Sequence, residues 1–129
     1  MPLELDFAAV VFIGIAGACL FVLVRSLHRS DKSGEIVYVL KDPTNDELLK
    51  IGKTKQSLKR RVKQQNTGNP NDLICVHAAR VPDCTEAETY LHRTFRDRQY
   101  NREWFKVNIG EVKRELKQFE LENVTHQAK

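Results

Sequence analysis

Hydrophobic and polar residues follow two different patterns in this chain, one before Arg25 and one after it. Residues 7–24 form an uninterrupted apolar run of 18 residues, and it is preceded by two acidic residues and no basic ones. As a helix this run would be roughly 27 Å long, close to the ~30 Å hydrocarbon core of a bilayer. Basic residues follow directly, so the positive-inside rule places the rest of the chain in the cytoplasm. The sequence predicts a single-pass transmembrane helix within residues 1–25.

The apolar run has two alternative interpretations, a cleaved peptide and a helix that forms a dimer. A cleaved signal or lipoprotein peptide would carry positive charge before the run, and none is present. Gly14 and Ala18 form a small-xxx-small pair, which would allow a weak helix-mediated dimer, although such pairs also occur by chance in isolated spans.

From residue 35 onward, short β-branched runs alternate with amphipathic segments. The polar, turn-rich residues 26–34 are typical of a juxtamembrane linker. The predicted elements are strand 36–40, a loop of about seven residues, strand 48–53, helix 58–66 capped by Ser57, strand 72–81, a helix from Thr85 to about Arg98, a strand or extended segment at 103–107, and a helix capped by Asn108 and Glu111. We expect an α/β fold with a three-stranded, mainly antiparallel sheet flanked by helices over residues 35–107, followed by a C-terminal helix and tail at 108–129.

Composition sharpens this division of the chain. Apolar residues make up 41% and charged residues 29% of the 129 residues, which excludes a disordered or collagen-like protein. All 21 lysines and arginines lie from Arg25 onward, which gives that part a net charge of +6. The three cysteines are an odd number, so they do not indicate a disulfide framework in a reducing compartment. Two cysteines and two histidines are candidate zinc ligands, namely Cys75, His77, Cys84 and His92. Their spacing in the sequence matches no standard zinc finger.

Basic residues crowd the end of the second predicted strand and the helix after it. They are Lys53, Lys55, Lys59, Arg60, Arg61 and Lys63. Like charges three or four residues apart on a helix are unfavourable by a few tenths of a kcal/mol per pair. A phosphate backbone is the usual compensation, so the cluster indicates nucleic acid as a partner, with a solvated helix face as the alternative.

Glu88 has two interpretations at this stage. The stretch Thr85-Glu86-Ala87-Glu88 has the pattern of a capping box, in which Glu88 would bond the backbone amide of Thr85. A carboxylate at this place could instead bind Mg²⁺ together with water and phosphate oxygens.

Several segments together suggest a known family. The segments IVYVL, LKIGKT, LKRRVKQQNTG, EAETYLHRTF and YNREWFKV resemble, in this order, the GIY-YIG nuclease superfamily. The similarity is closest to its phage-type DNA-binding branch with KIG in place of YIG. It covers Glu35 to Val107 and implies the small α/β fold already expected from the residue pattern.

The resemblance also implies roles for individual residues. Tyr38 lies where the family has its first tyrosine, and Lys50 replaces the second. Arg61 matches an arginine that binds the scissile phosphate, Glu88 matches the single metal-binding glutamate, and Asn101 lies near a downstream asparagine. These matches imply hydrolysis of a phosphodiester bond with one Mg²⁺ or Mn²⁺ ion on Glu88, with Tyr38, Arg61 and Glu88 as catalytic residues.

Three functions therefore stay open. The first is a membrane-anchored, Mg²⁺-dependent endonuclease that acts on nucleic acid, with DNA expected. The second is a catalytically silent DNA-binding module on the same fold, because Lys50 and Gln65 stand where many members of the family have a tyrosine and a histidine. The third is a membrane-anchored protein–protein adaptor whose basic face meets anionic lipid.

Overall fold

A computed structural model describes residues 34–129 of the chain. The elements in chain order are β1 (Ile36–Asp42), β2 (Asn45–Thr54), α1 (Leu58–Asn66), β3 (Ile74–Arg80), α2 (Cys84–Thr94), β4 (Gln99–Asn101), β5 (Trp104–Phe105), α3 (Ile109–Leu116) and β6 (Glu122–Asn123). Two short 3-10 turns complete them, at Arg96–Arg98 and Thr125–Ala128.

The six strands form one sheet in the order β4-β5-β2-β1-β3-β6, and every strand pair is antiparallel. The α/β class is confirmed, whereas the expected number of three strands is wrong. The extra strands β4, β5 and β6 have only two or three residues each. The predicted strand or extended segment at 103–107 contains β5, whereas β4 and β6 were not predicted, because segments this short show no alternation of polar and apolar residues.

The central strand β1 is buried on both faces. Ile36, Tyr38 and Leu40 pack with α1 on one face, in a cluster that includes Leu58 and Val62. The other face of the sheet packs against α2 and α3, in a cluster whose members include Val37, Val39, Ile51, Leu91 and Leu116. Because both faces are covered, β1 is a continuous hydrophobic run rather than an alternating one.

The β1–β2 hairpin is tighter than the sequence indicates. Its loop has two residues, Pro43 and Thr44, instead of about seven, since the strands pair up to Asp42 and Asn45. The carboxylate of Asp42 accepts hydrogen bonds from the Thr44 amide at 2.8 Å and the Thr44 hydroxyl at 2.7 Å. These side-chain bonds stabilise a turn among exposed polar residues, which otherwise look like a longer loop.

The C-terminal residues pack into the same core. The predicted capping box is confirmed, because the Asn108 side chain accepts from the Glu111 amide at 2.9 Å and the Glu111 side chain accepts from the Asn108 amide. Val112 and Leu116 are fully buried beside α2, and Val124 is fully buried on the α1 face. Residues 108–129 therefore complete the domain that begins at residue 35.

The predicted membrane helix at residues 7–24 lies outside the described residues, as do the Gly14–Ala18 pair and nearly all of the predicted linker. Within residues 34–129, none of the helices has the length and apolar character needed to cross a bilayer.

Candidate functional site

The candidate site lies at the C-terminal end of β2, where Gly52 pairs with Tyr38 of β1. A Cβ atom on Gly52 would lie 2.6 Å from both Cζ and Oη of Tyr38. Real Cβ atoms do not approach other atoms so closely, so only glycine leaves room for the tyrosine ring here. Gly52 is thus required by a close approach of side chain to backbone.

Helix α1 brings Arg61 to this tyrosine. Ser57 caps the helix as predicted, its hydroxyl accepting from the Arg60 amide at 3.3 Å, while Leu58 and Val62 bury the inner face. Arg61 is half-buried on the flank of that face, and its Nε donates a hydrogen bond to Tyr38 Oη at 3.0 Å. Because Tyr38 is fully buried and fixed by packing, this bond orients the guanidinium group.

Burial raises the pKa of Tyr38 above its usual value. The hydrogen bond and positive charge of Arg61 oppose this rise, and the carboxylates of Glu103 and Glu88 add to it. Tyr38 is therefore a neutral phenol at neutral pH, with a hydroxyl that accepts from Arg61 and can also donate a proton in a hydrogen bond. Tyr38 therefore affects Arg61 by fixing the position of its guanidinium group and not by adding a negative charge.

Glu88 faces this region from α2, and it does not cap that helix. The N-cap is Asp83, whose carboxylate accepts from the amides of Thr85 at 3.0 Å and Glu86 at 3.1 Å. The capping interpretation of Glu88 is therefore wrong, because an acid two positions before Thr85 already bonds the first amides of the helix. The Glu88 side chain is 12% exposed and accepts from Lys53 Nζ at 3.2 Å.

His92 lies one turn further along α2 and connects this helix to β2. Its Nε2 lies 3.0 Å from the carbonyl oxygen of Ile51 and 4.0 Å from Oε2 of Glu88. A carbonyl oxygen can only accept a hydrogen bond, so Nε2 of His92 is assigned as the donor. His92 thereby fixes α2, and with it Glu88, against the end of β2.

A cavity of about 560 Å³ adjoins these side chains. It lies between the starts of α1 and α2 and is lined by Lys53, Thr54, Lys55, Gln56, Arg61, Cys84 and Thr85. Three of the seven lining residues are cationic, so the cavity suits an anionic group. A phosphate bound by the guanidinium of Arg61 would gain charge-assisted, bidentate hydrogen bonds.

The donor atoms of the site restrict what metal it could hold. No group of three histidine, cysteine or acidic side chains within residues 34–129 is arranged to bind a metal ion, so the imagined zinc set does not form there. Burial is the main cause that raises the pKa of both Cys75 and Cys84 to about 11, which keeps these thiols protonated. A single, largely buried carboxylate, Glu88, fits one Mg²⁺ or Mn²⁺ ion that takes its remaining ligands from water and phosphate.

The predicted basic cluster is divided between the two flanks of α1. Arg61 lines the cavity described above, whereas Lys59 and Lys63 line a separate cavity of about 450 Å³ on the other flank, next to Asp72. Arg60 is exposed on α1, and Lys55 is exposed at the first cavity. The sequence predicted a single basic cluster, whereas the structure places its members on opposite flanks of α1.

Lys50 and Gln65 contact each other. They are the two residues at which this chain differs from the family that its motifs resemble. Nζ of Lys50 donates a hydrogen bond to the side-chain oxygen of Gln65 and lies 5.9 Å from the centre of the Trp104 ring. Trp104 pairs with Asn101 across the β4–β5 hairpin, where Asn101 is exposed. Lys50 and Asn101 therefore lie to the β5 side of the Tyr38–Arg61 contact.

Three residues of the site were not assigned to it from the sequence. Gly52 and His92 hold the backbone and α2 in place, and Glu103 lies close enough to raise the pKa of Tyr38. The backbone oxygen of Glu103 also accepts from the Ile51 amide at 2.9 Å. A glycine inside a strand pattern is the one sequence signal that could have indicated such a close approach.

A model of the T5orf172 domain matches residues 35–120, which is about two thirds of the chain. The chain therefore belongs to the T5orf172 domain family. No curated protein and no solved structure gives a significant match.

This match corrects the assignment to the GIY-YIG nuclease superfamily. The motifs behind that assignment, such as IVY and KIG, are tripeptides on two strands of a hairpin, and their combination does not decide between families. The roles that it implied for Tyr38, Arg61, Glu88 and Asn101 consequently depend on the geometry of this site alone.

Proposed function

We propose that this member of the T5orf172 domain family binds nucleic acid and hydrolyses a phosphodiester bond with the help of one divalent cation. The observation that carries the proposal is the position of Arg61, fixed by a buried tyrosine at the edge of a cationic cavity, with Glu88 nearby. DNA is the expected substrate class.

Arg61 would bind the non-bridging oxygens of the phosphate. Its Nε is held by Tyr38, which leaves the orientation of the terminal amino groups defined before the substrate arrives. An oriented donor stabilises charge that develops on the phosphate without reorganisation. Tyr38 acts here as a positioning residue, since its hydroxyl is fully buried.

Glu88 would bind the cation. A divalent ion held by Glu88 would supply Lewis-acid stabilisation of the negative charge that develops in the reaction. His92 keeps α2 against β2 through the Ile51 carbonyl, so that Glu88 stays at the level of Tyr38 and Arg61.

Lys53 is involved in both the binding of the phosphate and the binding of the cation. Its ammonium group is paired with Glu88 at 3.2 Å and also lines the cavity. When a phosphate enters, Lys53 can transfer from the carboxylate to the phosphate, and Glu88 is then available to the cation. Substrate and cation are therefore expected to bind more tightly together than either does alone.

A second candidate is nucleic-acid binding without cleavage. It is favoured by the same Lys53–Glu88 pair, because a carboxylate that is neutralised by a lysine attracts a cation less strongly.

We also propose that residues 7–24 anchor the protein in a membrane with its C-terminal domain in the cytoplasm. A reporter fused after Lys129 should then be active in the cytoplasm only. Recovery of the full-length chain in the soluble fraction without detergent would contradict the anchor. An adaptor that binds only anionic lipid would bind vesicles but not nucleic acid.

The proposed activity is tested by incubating supercoiled plasmid with the full-length chain in detergent. We expect nicked plasmid with Mg²⁺ or Mn²⁺ and none with a chelator. Binding without nicking under both metals would favour the second candidate, and no binding at all would contradict both.

A further inference from the structure

The hairpin formed by β4 and β5 carries an aromatic side chain outside both hydrophobic cores. Tyr100 lies in β4, the edge strand of the sheet, and is 63% exposed. Trp104 and Phe105 in the neighbouring strand β5 are packed against the two cores instead. Tyr100 lies at the bulge between Gln99 and Asn101, the two residues of β4 that pair with β5. An exposed tyrosine has a free ring face and only two side-chain torsions, which suits stacking on a planar group.

The turn of this hairpin is strained. Arg102 has a φ of 48°, and among the described residues it is the sole non-glycine residue with a positive φ. Glycine would adopt this conformation without strain, whereas a residue with a Cβ atom is disfavoured. The two-residue turn between Asn101 and Trp104 requires a positive φ, and such strain is found most often where the side chain at that position has a function. Here that side chain is a guanidinium group at the tip of an exposed hairpin.

The surroundings of the hairpin are basic and adjoin the candidate site. Arg96 and Lys106, on either side of it in sequence, are exposed like Arg102. Lys50 of β2 pairs in register with Trp104, and the next residue, Ile51, donates its amide hydrogen to Glu103 of the turn. The hairpin is thus joined directly to β2, the strand that contains Gly52. Residues 96–106 have four basic and two acidic side chains, and this net positive charge is complementary to a phosphate backbone.

We infer that the β4–β5 hairpin binds unpaired nucleotides next to the phosphate held by Arg61, with a base stacked on Tyr100 and a phosphate bound by Arg102. This inference depends on the proposed function, and it names the form of nucleic acid preferred: a duplex with a single-stranded overhang or bulge. Bases inside a duplex are stacked on each other, so only an unpaired base can present its face to Tyr100.

The test compares two labelled DNA substrates, a blunt duplex and the same duplex with a short single-stranded overhang. Binding is measured with the full-length chain in detergent and without divalent metal. The wild-type protein should bind the overhang substrate about tenfold more tightly. Tyr100→Leu should remove this preference without changing affinity for the blunt duplex, and Tyr100→Phe should retain it, because only a ring is needed for stacking.

Tyr90→Leu is the matched control. Tyr90 is also at the surface, 36% exposed, but it bonds to Glu115 at 2.7 Å and packs edge-on against Phe119 on the α3 side. Its replacement should leave the overhang preference unchanged. A partner protein that uses Tyr100 instead of nucleic acid would leave both DNA affinities unaffected by Tyr100→Leu, and this result would overturn the inference.

Arg102→Gly separates binding from folding. Because glycine relieves the strained turn, the melting temperature should stay the same or rise, while affinity for the overhang substrate falls several-fold and its salt dependence becomes shallower. Two results would overturn the role of the hairpin but leave the proposed function intact. One is that Arg102→Gly binds the overhang substrate as tightly as the wild type, and the other is that Tyr100→Leu loses equal affinity for both substrates. A wild-type chain that binds neither DNA would overturn the proposed function and, with it, the inference.

Discussion

The two flanks of α1 carry similar charge in very different surroundings. On one flank, Arg61 is half-buried and bonded to the buried Tyr38. On the other flank, Lys59 and Lys63 are exposed, next to Asp72 and Ala128. The helix places cations on both sides, but a fixed, buried partner orients the cation on one side only.

This difference shows why charge density alone does not define a site. A flexible lysine in water can contact many anions weakly, because ordering its side chain costs conformational entropy. Arg61 has lost much of that freedom already in the folded protein. We therefore expect the Arg61 flank to bind phosphate specifically and the lysine flank to contribute only long-range attraction.

The largest effect on DNA affinity is predicted for the removal of Arg61, compared with the removal of Lys63 on the other flank. Arg61→Ala should weaken DNA binding by about 1.5–3 kcal/mol, the range for hydrogen bonds to charged groups. Lys63→Ala should change affinity only a few-fold and lower the salt slope by roughly 0.9. Fluorescence anisotropy at several salt concentrations measures both quantities, and equal losses in the two variants would erase the distinction between the flanks.

A second prediction concerns the glycine beneath Tyr38. Gly52→Ala should force the Tyr38 ring to move, destabilise the domain by roughly 1–3 kcal/mol, and weaken DNA binding by releasing Arg61. Gly68→Ala is the control, because it has a φ of 84° and no atom within 4 Å of an added Cβ. The control should lower stability by about 1 kcal/mol without affecting affinity. Thermal melting with anisotropy provides both readouts, and full binding by Gly52→Ala would exclude the positioning role.

A smaller effect is expected at the ion pair beside Arg61. Lys53→Met removes the ammonium group that pairs with Glu88 and retains a similar length. Partly exposed pairs of this kind contribute about 0.2–1 kcal/mol, so the affinity of the DNA-free protein for Mn²⁺ should rise up to about fivefold. Electron paramagnetic resonance of free Mn²⁺ measures it. Weaker Mn²⁺ binding by the variant would show that Lys53 does not compete for the carboxylate.

The smallest effect is a pH dependence of stability. Because burial raises the pKa of Tyr38 above that of the unfolded chain, the folded state retains the proton longer, and stability should fall as the pH rises above about 10. Tyr38→Phe removes this contribution, so its stability should decline less steeply over the same range. Identical slopes in urea titrations at pH 9 to 11 would contradict the direction of this pKa shift.

The sequence predicts the centre of this molecule better than its edges. β1 is a buried hydrophobic run, and α1 has a serine cap followed by two core residues, so both elements were located together with Tyr38 and Arg61 of the candidate site. β6 pairs with β3, which is distant in sequence, while β4 pairs with the adjacent and equally short β5, and no local pattern marks β4 or β6 as strands.

The candidate site was predictable in the same uneven way. Glu88 was located on the right helix, but its pairing with Lys53 joins residues 35 positions apart, and the nearer capping pattern concealed it. The separation of Arg61 from Lys63 was hidden for a different reason. Sequence spacing shows which residues share a helix face, but it does not show which face meets a buried hydroxyl group.

The most direct test of the proposed hydrolysis is Glu88→Gln, measured for DNA cleavage and DNA binding side by side in the full-length chain. Glutamine retains the size of the side chain and a hydrogen-bonding oxygen for Lys53 but lacks the negative charge that attracts a divalent ion. We predict that the variant binds DNA at least as tightly as the wild type and cleaves it at least ~100-fold more slowly with Mg²⁺ or Mn²⁺. Equal cleavage by the two proteins would contradict the role of Glu88.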